Sequence, residues 1–197
     1  GWLSVPAGRG EEARLRLLAG PKAVSNTKLM ARLNVLKTVI AYSDEFRAIG
    51  RLPPDPILRA FVLAKKPIDL KQSWRLSNEQ AKRIEDLLAM SSPSRKLREN
   101  EQRRILYGIG GQAWRDSVHV AWAKSSEPLT DRVWKRMLAL PKRWPVPLFP
   151  VSGRDLIELG YTPGPAMGTD LKQLEERWVA SDFKPSKQDL LESLKGN

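Results

Sequence analysis

The sequence predicts an all-α protein, with a multi-helix body followed by a small helical tail. Apolar residues recur at spacings of three and four along much of the chain, which is the period of helices that bury one face. No run alternates β-branched with polar residues as a half-buried strand would. Hydrophobic residues make up 41% of the 197 residues, enough to expect a folded core rather than a disordered chain.

Three apolar stripes with helical spacing predict three buried helix faces. They comprise Leu29, Leu33, Leu36 and Ile40; Trp114, Val118, Ala121 and Trp122; and Met167, Leu171, Leu174 and Trp178. We therefore expect Trp114, Trp122 and Trp178 in the core. Trp144 lies off every stripe, in a basic proline-rich stretch, and either packs beneath that stretch or stacks on an unpaired base, with packing favoured.

Capping residues mark the predicted helix starts. Asp55-Pro56 is an N-cap followed by proline at the first helical position, and Ser77 with Gln80 forms a capping box. Further starts are predicted at Ser92-Pro93, Thr130-Asp131 and Ser186 with Asp189. Stops are predicted at Gly20-Pro21, Gly50, the Gly108–Gly111 cluster and Pro141. These signals predict about nine or ten helices joined mostly by short turns.

A proline-rich stretch, PKRWPVPLFPVSG at residues 141–153, predicts a division of the chain. It holds four prolines within ten residues, which cannot continue a helix and favour a stiff extended connector. We therefore expect a helical body at 1–140, a connector at 141–150 and a helical tail at 151–197.

The charge of the chain indicates a polyanionic partner. Its 34 Lys and Arg residues exceed its 22 Asp and Glu residues, for a net charge of +12. Nucleic acid is the first partner that such an excess favours, and an acidic membrane surface is the second. The excess is concentrated before the tail, where residues 129–154 hold six basic residues and one acidic residue.

The tail sequence SGRDLIELGYTPGPAMGTDL (152–171) has the chemistry of an anion site. Pro165 fits the first helical position after Gly164, so the N–H groups of Ala166 and Met167 have no helical partner. With the helix dipole, such groups attract phosphate, and the absence of Cβ atoms at Gly164 and Gly168 leaves room for it. The alternative is that these glycines only permit close packing of two helices.

An active site within this chain is not predicted. Its single histidine, His119, lies in an apolar helical setting that favours a structural role, and the absence of cysteine excludes thiolate chemistry. Glu99 and Glu101 are explained by ion pairs with neighbouring arginines. The stretch YGIGGQ (107–112) follows a helix and reads as a turn between helices rather than a phosphate loop. We expect neither catalytic residues nor a metal site.

The run FPVSGRDLIELGYTPGPAMGTDLKQLEERWV (149–179) resembles the C-terminal segment of bacterial class II CCA-adding tRNA nucleotidyltransferases and the related poly(A) polymerases. The shared pattern comprises Gly153, Asp155, Leu156, Leu159, Gly160, Pro163, Gly164, Pro165 and Gly168. Residues 54–64, 74–88 and 103–123 are similar to the body of the same enzymes.

The resemblance implies a helical body and tail that hold tRNA by its backbone. In these enzymes a separate N-terminal head transfers nucleotides from ATP or CTP with Mg²⁺, through a Gly-Gly-x-Val-Arg-Asp loop and an Asp-x-Asp pair. Neither motif occurs in this sequence, nor does the neck cluster that selects the nucleotide. The resemblance therefore implies a cytoplasmic C-terminal piece, beginning at Gly1, that binds RNA without its own catalysis or cofactor and works with the head of its parent enzyme.

The predicted partner is tRNA or another structured RNA, without a membrane. The predicted role is to position the 3′ end of tRNA for nucleotide addition. The predicted contacts are Arg154, Gly164, Ala166, Met167, Gly168 and Lys172, with Lys142, Arg143, Lys135 and Arg136 as neighbouring phosphate contacts. The alternative function is a helical protein-interaction module with a basic surface. The sequence does not discriminate between CCA addition, addition of A alone and poly(A) synthesis.

Overall fold

The computed structural model describes residues 9–195, and within them the predicted all-α fold is confirmed. The only β structure in this range is an isolated bridge between Tyr42 and Ala64. The helices are α1 (Arg9–Ala19), α2 (Ala23–Arg32), α3 (Leu36–Val39), α4 (Phe46–Arg51), α5 (Pro56–Leu63), a 3-10 helix (Pro67–Asp69), α6 (Leu70–Ser73), α7 (Asn78–Ala89), α8 (Glu99–Lys124), α9 (Arg132–Leu138), α10 (Leu140–Arg143), α11 (Gly153–Glu158), α12 (Pro165–Ala180) and α13 (Lys187–Lys195).

The chain divides into two compact units. The first takes in the chain up to Lys96 together with Ile109–Ala139, and the second takes in Leu97–Gly108 together with the chain from Leu140 onward. Helix α8 therefore contributes to both units, and its backbone leaves helical geometry at Gly110, with φ 81° and ψ 165°. That break lies in the glycine cluster where a turn was predicted. The proposed body, connector and tail remain a prediction.

The first unit has a core of aliphatic side chains from most of its helices. Its buried residues include Leu18, Ile49, Leu58, Leu63, Leu70 and Ile84. The second predicted stripe is confirmed, because Trp114 is fully buried and Val118, Ala121 and Trp122 are buried with it. The Trp114 indole N–H donates to the Met137 carbonyl at 2.8 Å. His119 is partly buried beside this stripe, and burial lowers its pKa.

A buried arginine, Arg59, connects the ends of two helices in the first unit. Arg59 is 8% exposed and donates hydrogen bonds to the backbone carbonyls of Leu18, Gly20 and Leu52. These carbonyls lie at the C-terminal ends of α1 and α4, where the helix dipole favours a cation. Burial is the main influence on Arg59 and lowers its pKa.

The second unit has an aromatic core. Leu174 and Trp178 are buried, and Met167 and Leu171 pack against them, which confirms the third stripe. Leu156 is buried in the same core, and the Trp178 ring meets the Phe183 ring edge-on at 5.1 Å. Trp144 packs as expected: its ring lies 5.0 Å from that of Phe183, and the Arg103 guanidinium lies 5.7 Å from its centroid. Trp144 therefore packs against residues of the second unit, to which it belongs.

Some sequence predictions are wrong in detail. The first stripe does not form a buried face, because α2 ends at Arg32, Asn34 turns the chain with φ 59° and Leu33 is 64% exposed. No helix starts at Ser92-Pro93; α8 begins at Glu99, where the Glu101 carboxylate accepts from the Arg98 N–H. Pro141 does not stop a helix, because it lies in the first turn of α10, where no N–H donor is required. The stop predicted at Gly50 falls one residue before the end of α4 at Arg51.

Helix α11 ends on a glycine that the backbone requires. Gly160 has φ 92°, its N–H donates to Ile157, and the Tyr161 N–H donates to Leu156. This left-handed C-terminal turn is costly for residues with a Cβ.

Replacing Gly160 with Ala is expected to lower the free energy of unfolding by about 1–2 kcal/mol, because the left-handed conformation crowds a Cβ. The matched control is Gly168→Ala, at a helical position where a Cβ would meet nothing within 4 Å. The control should raise stability by up to about 1 kcal/mol, since Ala favours helices over Gly. Urea denaturation followed by circular dichroism measures both, and equal effects of the two substitutions would contradict this role for Gly160.

Candidate nucleic-acid interface

The start of α12 is open and uncapped. Gly164 is the N-cap, in an extended conformation with no side chain to accept hydrogen bonds, and Pro165 follows at the first helical position. By helical geometry the N–H groups of Ala166 and Met167 have no intrahelical acceptor. The helix spans 16 residues with no acidic residue in its first turn, so the positive end of its dipole is not neutralised there.

The glycines around this start have different roles. A Cβ on Gly153 would lie 3.4 Å from the Met167 side chain, so the start of α11 lies against α12. A Cβ on Gly164 or on Gly168 would meet nothing within 4 Å in the described part of the chain. Close helix packing therefore explains neither Gly164 nor Gly168, and both leave open surface beside the free N–H groups.

Cations near the start of α12 differ in whether they form ion pairs with carboxylates. The Asp155 carboxylate accepts from Lys187 Nζ and from the Ser152 N–H and hydroxyl. The hydrogen bond from Lys187, followed by those from Ser152, lowers the pKa of Asp155 to about 2. Arg154 is exposed and forms no ion pair with any residue in the range 12–194. Arg154 is thus a cation at the start of α11 whose charge no carboxylate in this range neutralises.

The structure brings six of the predicted contacts together on the adjoining helices α11 and α12. These are Arg154, Gly164, Ala166, Met167, Gly168 and Lys172. Lys142 and Arg143 lie on α10 of the same unit, with Arg143 Nη1 3.9 Å from a Glu99 carboxylate oxygen. Lys135 and Arg136 lie on α9, which belongs to the first unit.

A groove between α8 and α12 was not predicted. It measures about 630 Å³ and is lined by Arg104, Tyr107, Gly108, Lys172, Glu175, Glu176, Val179 and Ala180. Arg104 donates to the Ala180 carbonyl at 2.7 Å, and the Tyr107 hydroxyl donates to the Glu175 carboxylate. Burial, together with this hydrogen bond, raises the pKa of Tyr107 to about 12. Lys172 is the one predicted contact that lines the groove.

Metal binding and membrane insertion find no support in the described residues. Between residues 9 and 195, no group of three or more His, Asp or Glu side chains is arranged to hold a metal ion. None of the helices there has both the length and the apolar character of a membrane span.

Comparison with known proteins connects both units to one family. The family model for tRNA nucleotidyltransferase domain 2 matches residues 60–194. The chain is 28% identical over 131 residues to the CCA-adding enzyme of Lacticaseibacillus paracasei, a match that covers 66% of this chain and 32% of that protein. It is 49% identical over 53 residues to the mitochondrial CCA tRNA nucleotidyltransferase 1 of Danio rerio, and 39% identical over 54 residues to that of Homo sapiens. Each of these two matches covers 27% of this chain and 12% of the relative.

Proposed function

This chain belongs to the tRNA nucleotidyltransferase domain 2 family, and from that premise we propose that it binds RNA and holds tRNA for nucleotide addition at its 3′ end. The observation that carries the proposal is the open start of α12, where backbone N–H groups have no helical acceptor. A Cβ at Gly164 or Gly168 would meet nothing within 4 Å there, and the exposed Arg154 lies on the adjoining helix α11. Backbone N–H groups at a helix start bind phosphate without reading bases. This mode suits recognition of tRNA by its backbone.

The chemistry of nucleotide addition is proposed to come from a separate catalytic head. The relatives named as CCA-adding enzymes are longer than the segments that this chain matches. We assign ATP or CTP and Mg²⁺ to that head, because the Gly-Gly-x-Val-Arg-Asp loop and the Asp-x-Asp pair that the resemblance attaches to this chemistry do not occur in this sequence. The role proposed for this chain is to bind and orient the RNA.

Three exposed cations of the second unit determine how RNA binding should depend on salt. Arg154, Lys172 and Lys142 are exposed, so phosphates that approach them displace counterions. Affinity should therefore fall steeply between low and physiological salt.

Arg154→Ala is expected to weaken tRNA binding and to reduce the slope of log affinity against log salt by about 1, because one phosphate contact is lost. Lys28→Ala is the matched control, since Lys28 is an exposed cation on α2 of the first unit. Fluorescence anisotropy at several salt concentrations measures both slopes. The proposal fails if tRNA does not bind or binds independently of salt, and the assignment of Arg154 fails if the two variants lose affinity equally.

A further inference from the structure

The groove between α8 and α12 lies on the same face of α12 as the candidate phosphate site. Gly168 and Lys172 are four residues apart, and Glu176 and Val179 continue the same stripe at spacings of four and three. Residues at these spacings share one helix face. From Ala166 to Lys172 the helix rises about 9 Å, which is about three nucleotides of a stacked strand. A strand that begins at the start of α12 can therefore reach the groove.

The groove is chemically different from the start of α12. Its less polar lining residues, Tyr107, Gly108, Val179 and Ala180, are together termed its floor, and they suit a flat apolar surface. Two carboxylates, those of Glu175 and Glu176, disfavour a phosphate in the same space. A ligand with one flat face and uncharged hydrogen-bond donors meets these requirements.

The polar side chains that line the groove differ in how many hydrogen bonds and ion pairs they already form. Glu175 already accepts from the Tyr107 hydroxyl, and Arg104 is bonded to the Ala180 carbonyl. Glu176 is exposed, and within the described part of the chain its one ion pair is a loose contact with Lys172 at 4.0 Å. Glu176 is therefore the acceptor that can serve a ligand, and Lys172 lies where a phosphate next to that ligand would be.

We propose that the groove binds one unpaired nucleoside of the RNA held at the start of α12. This inference rests on the proposed function. The base lies on the floor at Gly108 and Val179, and an exocyclic amine or a ribose hydroxyl donates to Glu176. The adjoining phosphate on the side of the α12 start lies near Lys172. The second unit then combines backbone binding with recognition of an exposed base, a contact that stacking makes tolerant of sequence.

Filling the groove tests the proposal. Gly108 is exposed, and a Cβ at this position would meet nothing within 4 Å, so Gly108→Leu adds a bulky side chain to the floor from an unobstructed Cβ position. Leucine also favours the helix over glycine, so the variant should fold. Gly108→Ala is the matched control because it adds one methyl group only. The probes are a single-stranded RNA hexamer and the same hexamer with all bases removed, and thermal unfolding verifies the fold.

The wild type is expected to bind the intact hexamer about tenfold more tightly than the abasic one. Gly108→Leu should remove most of this preference and leave the affinity for the abasic strand unchanged, whereas Gly108→Ala, which adds one methyl group, should reduce the preference less. If Gly108→Leu keeps the preference while tRNA binding remains salt-dependent, the groove assignment is wrong and the proposed function stands. If neither tRNA nor the hexamers bind, both proposals fail.

Discussion

Gly164→Asp is expected to weaken tRNA binding about tenfold at low salt, because it places a carboxylate where the proposed phosphate lies. The backbone accepts this residue: Gly164 has an extended φ of 167°, and a Cβ there would meet nothing within 4 Å. The new side chain can cap the free N–H groups of the first turn, as aspartate commonly does at this position. Helix α12 should therefore be at least as stable as before, so lost binding would not reflect lost structure.

Gly164→Asn is the matched control for this experiment. Asparagine caps a helix about as well as aspartate and has nearly the same size, but it carries no charge. Binding of tRNA is measured at two salt concentrations, with thermal unfolding of each variant alongside. The aspartate variant should lose more affinity than the asparagine variant, and the difference should shrink at high salt. Equal affinities of the two variants would show that no anion occupies the start of α12.

Local signals were sufficient to predict several of the helix starts in the described residues. The Asp55 side chain accepts from the N–H groups of Ile57 and Leu58, the Ser77 capping box forms, and Asp131 caps α9. Each of these caps depends on residues at most three positions apart, so the sequence contains the whole interaction. The uncapped start of α12, with Gly164 followed by Pro165, was predictable for the same reason.

Features that depend on distant residues were not predictable in this way. The stripe from Leu29 to Ile40 has helical spacing, yet the chain turns at Asn34 and leaves Leu33 exposed, because the fold around the segment outweighs its periodicity. The groove joins residues near 104–108 to residues near 172–180, and no local pattern links these two segments. Even so, Arg104, Tyr107 and Gly108 share one helix face, and this spacing was a signal that sequence reasoning did not use.

One arginine of the first unit lies between two carboxylates from other segments. Arg83 on α7 contacts Asp55, the cap of α5, at 2.8 Å and binds Asp116 on α8 through two hydrogen bonds of 2.8 and 3.0 Å. Asp116 is 3% exposed and also accepts from Gln112. Although burial acts to lower the pKa of Arg83, its hydrogen bonds to Asp116 and Asp55 raise it overall. Arg83 therefore stays charged and compensates a carboxylate that water does not reach.

Arg83→Met is expected to lower the free energy of unfolding by about 3–5 kcal/mol, because it leaves the Asp116 carboxylate buried without its cation. The double variant Arg83→Met with Asp116→Leu should recover most of this loss, since no unpaired charge remains in the interior. Lys82→Met removes the neighbouring cation from an exposed pair with Asp86 and should change stability little. Urea unfolding of the four proteins measures the effect. If the double variant were as unstable as the single one, packing of the Arg83 side chain rather than charge compensation would hold α5, α7 and α8 together.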